Sequence, residues 1–131
     1  MLEKRITIRW RDMDAYGHVN NAVYLNFLEE ARDAWVQRTL GSVTQTWDFV
    51  LARVAIDFRA ELTQDDDAVV VRCALDSIGR ASIRTREEIV KLDGTVSASA
   101  ESVIVPRDPE AGRSRPLTDT ERQALEVELG P

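Results

Sequence analysis

Between Ile6 and Trp10 the apolar residues fall on every second position, Ile6, Ile8 and Trp10 against Arg5, Thr7, Arg9 and Arg11. That is the period of a strand with one face buried. The run DMDAYGH after it is turn chemistry, and Asn20 or Asn21 can then cap a helix by accepting from a backbone N–H one turn in. Beyond the cap, Tyr24, Phe27, Leu28, Ala31, Ala34 and Trp35 recur at helical spacing, with Asn26, Glu29, Glu30, Asp33 and Gln37 elsewhere. The pattern predicts one long helix from about Asn20 to Leu40, stopped by Gly41 at its C′ position.

The period then switches to two. Val50, Ala52, Val54, Ile56, Phe58 and Ala60 form one face of a long strand, and residues 68–77 repeat the alternation with Val69, Val71, Cys73 and Leu75. A third strand covers 80–92, with Ala81, Ile83 and Thr85 in step and a slip near Glu87 and Glu88 that suggests a bulge. Asp93-Gly94 is a hairpin signal with φ > 0 expected at both positions. Val96, Ala98, Ala100, Ser102 and Ile104 continue beyond it. Ile78-Gly79 reads as a turn, so the expected order is a strand, a helix and four strands in meander. Residues 106–117, PRDPEAGRSRPL, read as an irregular arm, and Thr118 with Glu121 as the capping box of a short tail helix.

At 131 residues, with no repeat and no break in composition, the chain makes a single domain over 1–131. Lys+Arg 17 against Asp+Glu 23 leaves a net charge of −6, so the overall field repels nucleic acid. Nearly all the cationic residues are Arg, the better group for phosphate. A single cysteine, Cys73, and a single histidine, His18, exclude an intrachain disulfide and multi-Cys or multi-His metal sites. Asp12, Asp14 and His18 in one loop, lacking a distant fourth partner, make a poor metal site, and none is expected. MLEKRITIRW lacks the apolar run of a signal peptide and no later stretch reaches membrane-spanning length, so a cytoplasmic protein is expected. One helix covers only one face of a sheet, and the uncovered face and open edges predict a homodimer or a dimer of dimers.

The densest polar cluster is the junction Asp12, Asp14, Tyr16, His18, Asn20 and Asn21. A carboxylate just before a helix start faces unpaired backbone N–H groups and the positive end of the helix dipole. Such donors can hold a developing oxyanion while the carboxylate attacks a carbonyl or orients water. By spacing alone, a capped turn with solvated Asp12 and Asp14 is the simpler account. Asp65, Asp66 and Asp67 read as a solvated turn, Cys73 as a small core residue, and Tyr24, Phe27 and Trp35 as core aromatics.

The run RWRDMDAYGHVNNAVYLNFLEEAR resembles the signature of hotdog-fold acyl-CoA thioesterases of the 4-hydroxybenzoyl-CoA thioesterase-like group: an Arg- and aromatic-rich strand, D-x-D, G-[HIV]-V, a polar pair, then a Tyr- and aromatic-rich helix ending in E-x-A-R. The similarity continues through LARVAIDFRAEL, SIGRAS and SVIVPRDPEAGRSRPL, covering nearly the whole chain. The resemblance implies an α+β hotdog fold, an antiparallel sheet wrapped around one long central helix, dimerised with sites at the subunit interface. It implies hydrolysis of acyl-CoA to a carboxylic acid and coenzyme A with no cofactor. Asp14 matches the catalytic carboxylate, nucleophile or general base in different members. Asn21 matches the residue whose main-chain N–H polarises the thioester carbonyl. Arg80 matches a hairpin position that contacts coenzyme A phosphates, with Arg59 or Arg84 assisting, and Tyr24 stands where it could line an acyl pocket.

Related acyl-carrier-protein thioesterases share D-x-N-x-H-V-N-N, in which the Asn and His belong to a catalytic network. Here Tyr16 replaces that Asn, so His18 either acts directly, orients Asp14 or packs beneath the helix. Two alternatives stand beside acyl-CoA hydrolysis: an acyl-carrier-protein thioesterase, disfavoured by the like charge of acidic carriers, and a non-catalytic acyl-CoA-binding module, against which Asp14 argues.

Overall fold

A computed structural model describes residues 1–130. The first strand, β1, spans Leu2–Thr7 and stops short of the predicted end. Ile8 is buried, but the chain then turns through a single 3-10 turn at Trp10–Asp12, leaving Trp10 78% exposed. The cause is Asp12, whose carboxylate accepts from the Arg9 main-chain N–H at 2.8 Å and pulls the strand end into a turn.

Helix α1, Asn21–Leu40, has Asn20 as its N-cap, with Oδ1 accepting from the Ala22 N–H at 3.0 Å. Its inner stripe is Tyr24, Phe27, Leu28, Ala31, Arg32, Trp35, Val36 and Leu40, all buried. Gly41 ends it in the right-handed conformation, φ −62°, instead of the left-handed one expected at C′. Glycine is still required there, because a Cβ would run into the Gln37 backbone carbonyl.

Four long strands follow: β2 (Phe49–Phe58), β3 (Ala68–Ile78), β4 (Ile83–Lys91) and β5 (Val96–Asp108). All pairings are antiparallel, in the order β1-β3-β4-β5-β2. Only β3, β4 and β5 form a meander. The strand β2 lies against β5 at the far edge, because residues 59–67 carry the chain across the sheet end with Leu62 buried beneath them. Register shifts fall at Leu51/Arg53, Leu75/Ser77 and Ile89/Val90. There is none at Glu87: it points inward in step with Ile83, Thr85 and Ile89, all four buried. At Asp93-Gly94 only Gly94 has positive φ, 95°, and the turn closes by Gly94 N–H donating to the Lys91 carbonyl.

The expected irregular arm is largely ordered. The strand β5 runs on to Asp108 and pairs with a two-residue β6, Arg113–Ser114. Helix α2, Asp119–Leu129, starts with the predicted capping box of Thr118 and Glu121. It buries Leu125 and is tied down by Arg115, which makes two 2.8 Å bonds to the Glu121 carboxylate. The sheet thus curls around α1, the α+β hotdog arrangement, with the core between the inner sheet face and the helix stripe. Among the described residues no helix is long and apolar enough to cross a membrane.

Candidate active site

Asp12 and Asp14, two residues apart, have opposite surroundings. Asp12 is 1% exposed. Its carboxylate takes Arg9 N–H and the Arg9 guanidinium, at 2.8 and 2.9 Å, and its carbonyl accepts from Asn20 N–H at 2.9 Å. It staples the end of the strand to the start of α1 and is not solvated. Asp14 sits at the surface of the next turn. Its main-chain N–H donates to the His18 carbonyl at 2.8 Å, and its Oδ1 accepts from Tyr16 N–H at 2.8 Å and His18 N–H at 3.2 Å. Its Oδ2 has no hydrogen-bond partner among the described residues. One oxygen is held and the other is open. Gly17 supplies the positive φ, 82°, that lets so short a turn close.

The loop returns through a Met13–Val19 bridge and a 2.8 Å bond from Val19 N–H to the Leu62 carbonyl, which delivers α1 at a fixed point. In the first turn of α1 the Ala22 N–H goes to the Asn20 side chain and the Val23 N–H to the Asn20 carbonyl. The Asn21 N–H has no partner among the described residues, an open donor at the positive end of a 20-residue helix. A cavity of about 190 Å³ lies beside it, lined by Asn21, Tyr24, Phe58, Arg59, Ala60 and Glu61. Tyr24 packs edge-on against Phe58, ring centroids 5.0 Å apart, and together they wall it.

A hollow of about 540 Å³ is larger but lies on the outer sheet face, among Arg72, Arg86, Glu88 and Glu101. Several of those charges are already paired, Arg72 with Glu88 at 3.8 Å and Arg86 with Asp76 at 3.0 Å. The site is assigned to the smaller cavity, where an open N–H and an apolar wall meet beside the Asp14 loop.

The remaining predicted residues divide between the two ends of the sheet. Arg59 lines the cavity and donates from Nε to Ser99 Oγ at 2.8 Å. His18 is half-buried, its Nε2 3.1 Å from Glu61 Oε2. Arg80 is exposed at the β3–β4 turn, at the end of β3 away from the Asp14 loop. An 11-residue strand separates the two ends by about 30 Å. Arg84 is on the outer face, 3.9 Å from Glu101. A single chain therefore brings together Asp14, Asn21, His18, Tyr24 and Arg59, but not Arg80 or Arg84.

A polar cluster outside the expected site residues lies beneath the helix. Arg32 Nη1 lies 3.4 Å from Glu87 Oε1 and donates to Ser102 Oγ at 3.2 Å. Thr85 and Ser102 hydroxyls donate to the two Glu87 oxygens at 3.0 and 3.2 Å. Burial pushes the Glu87 carboxyl above its ordinary value, opposed by Ser102, Arg32 and Thr85. Next to it, burial and the Glu87 charge push the Cys73 thiol up to about 12, which removes it as a nucleophile at neutral pH.

Residues 8–125 match the family model described as the thioesterase-like superfamily. The chain is 27% identical over 132 residues to the long-chain acyl-CoA thioesterase FadM of Escherichia coli K12, covering 95% of this chain and 97% of that protein. Among solved structures it is similar to a Thermus thermophilus thioesterase complexed with coenzyme A and Zn. The two are 30% identical with a TM-score of 0.86, over 98% of this chain and 95% of that one. A thioesterase from Bacillus stearothermophilus described as predicted gives 27% identity and a TM-score of 0.86, over 96% of this chain and 94% of that one.

Proposed function

The chain belongs to the thioesterase-like superfamily, and from that membership we propose that it hydrolyses acyl-CoA thioesters to a carboxylic acid and free coenzyme A. The observation that carries this reading is the pairing, on one loop, of a carboxylate with one open oxygen and a helix N-terminus with one open N–H. The thioester carbonyl oxygen accepts from the Asn21 N–H, where the donor and the helix dipole favour the negative charge that develops on attack. Asp14 Oδ2 takes a proton from water as the water oxygen bonds to the carbonyl carbon. The C–S bond then breaks, and the departing thiolate collects a proton to leave as coenzyme A. In the nucleophilic variant Oδ2 itself bonds to that carbon, expelling the thiolate and leaving a mixed anhydride for water to open. Tyr24 and Phe58 supply the apolar wall for the acyl group, and Arg59 lines the same cavity.

The site is completed by a second copy. The strand β2 pairs with β5 on one side only, and Val50, Leu51 and Phe58 along it are 36%, 44% and 50% exposed. Antiparallel pairing of two β2 edges would continue the sheet and cover that edge. It would also turn Arg80 of the second copy towards the end that carries this chain's Asp14, where a guanidinium can meet coenzyme A phosphates. Free-thiol release measured over short, long and aromatic acyl-CoAs tests the proposal: turnover of at least one class is expected, and none with any would reduce the protein to a binding module.

A further inference from the structure

Glu61 is a carboxylate in the site cavity with no place in the chemistry above. It shares that cavity with Asn21, and its Oε2 lies 3.1 Å from His18 Nε2. Its backbone is fixed on both sides, since Arg59 and Ala60 N–H donate to the Ser97 carbonyl and the Leu62 carbonyl accepts from Val19. Its neighbour Arg59 is bonded to Ser99 instead. A pair whose side chains are 42% and 72% exposed adds little to stability. His18 is also the residue that holds Asp14, giving its N–H to Oδ1 and its carbonyl to the Asp14 N–H.

We propose that Glu61 is a positioning residue of this site. Its carboxylate accepts from His18 Nε2–H, fixing the tautomer and tilt of the ring, and through the His18 main chain it keeps the Asp14 carboxylate aligned with the open Asn21 N–H. With Nε2 donating, Nδ1 carries the lone pair and is the ring atom able to take a proton. The inference rests on the thioesterase reading for its consequence in turnover, but its structural half does not.

His18 is the only histidine in the chain, so its ring ¹⁵N signals need no assignment. In the full-length protein with the ring neutral, the Nε2–H form is expected to dominate, to give way to a tautomer mixture in Glu61→Ala, and to return in Glu61→Gln, whose amide oxygen still accepts. Glu61→Ala is expected to lower kcat about tenfold with KM little changed. Glu61→Gln recovers most of that loss, and in a His18→Ala background Glu61→Ala costs nothing further. A ring signal unchanged in Glu61→Ala, or a rate loss that persists in full without His18, overturns the proposal. Absence of turnover in the unmodified protein would instead overturn the thioesterase reading, and the tautomer experiment would still decide the role of Glu61.

Discussion

Arg32 and Glu87 are charged residues at positions the hydrophobic pattern reserves for apolar ones. Arg32 falls on the helix stripe four residues after Leu28 and three before Trp35, and Glu87 has the inward parity of Thr85 and Ile89. Both parities are in the sequence, and reading them together points to a pair. Taking Glu87 as solvated instead produces a slip in alternation that does not exist. Removing one member of a buried pair strands the other, so Arg32→Met is expected to cost about 3–5 kcal/mol, read from urea unfolding. Asp12 and Asp14 mark the opposite limit. Nothing in their spacing says which is buried, because that depends on where the Arg9 main-chain N–H points after the chain has turned. Glu61 had no signal at all, since its partner His18 lies 43 residues earlier across the sheet end.

Elements were legible in proportion to how local their causes are. Helix α1 and the capping box of α2 were readable because each cap, each step of the stripe and the stop is set by residues within about one turn of one another. The neighbour of β2 was not, because alternation specifies a strand and a buried face but not which edge it joins. Helix α2 also carries a pH dependence. Burial alone would raise the Glu121 carboxyl, but the Arg115 guanidinium and the Thr118 N–H outweigh it and hold the group down to about 2. A folded-state value below the ordinary 4.5 adds stability above that value, lost as pH falls towards about 2. Thermal unfolding followed from neutral pH into this window should show wild type losing stability that Glu121→Gln, less stable at neutral pH, no longer has to lose.

For the whole molecule, the proposed function draws on residues from both ends of the sheet. Asp14 and the open Asn21 N–H lie at one end of the sheet and Arg80 at the other, so an antiparallel partner is the simplest way to unite them. Leu51→Lys puts a charge on the exposed β2 edge and should shift sedimentation from dimer towards monomer, lowering turnover in the same proportion. An unaltered dimer would direct attention to another face. The net charge of −6 is compatible with this arrangement, because a nucleotide's phosphates need only a few arginines at one end of a sheet, whereas a nucleic acid would need a basic surface. The proposed chemistry turns on Asp14, and the most direct measurement is thiol release from an acyl-CoA by Asp14→Asn beside the unmodified protein, with melting temperatures compared. A kcat lower by about 10²-fold or more is expected with the fold retained, and near-normal turnover by the folded variant would remove Asp14 from the chemistry.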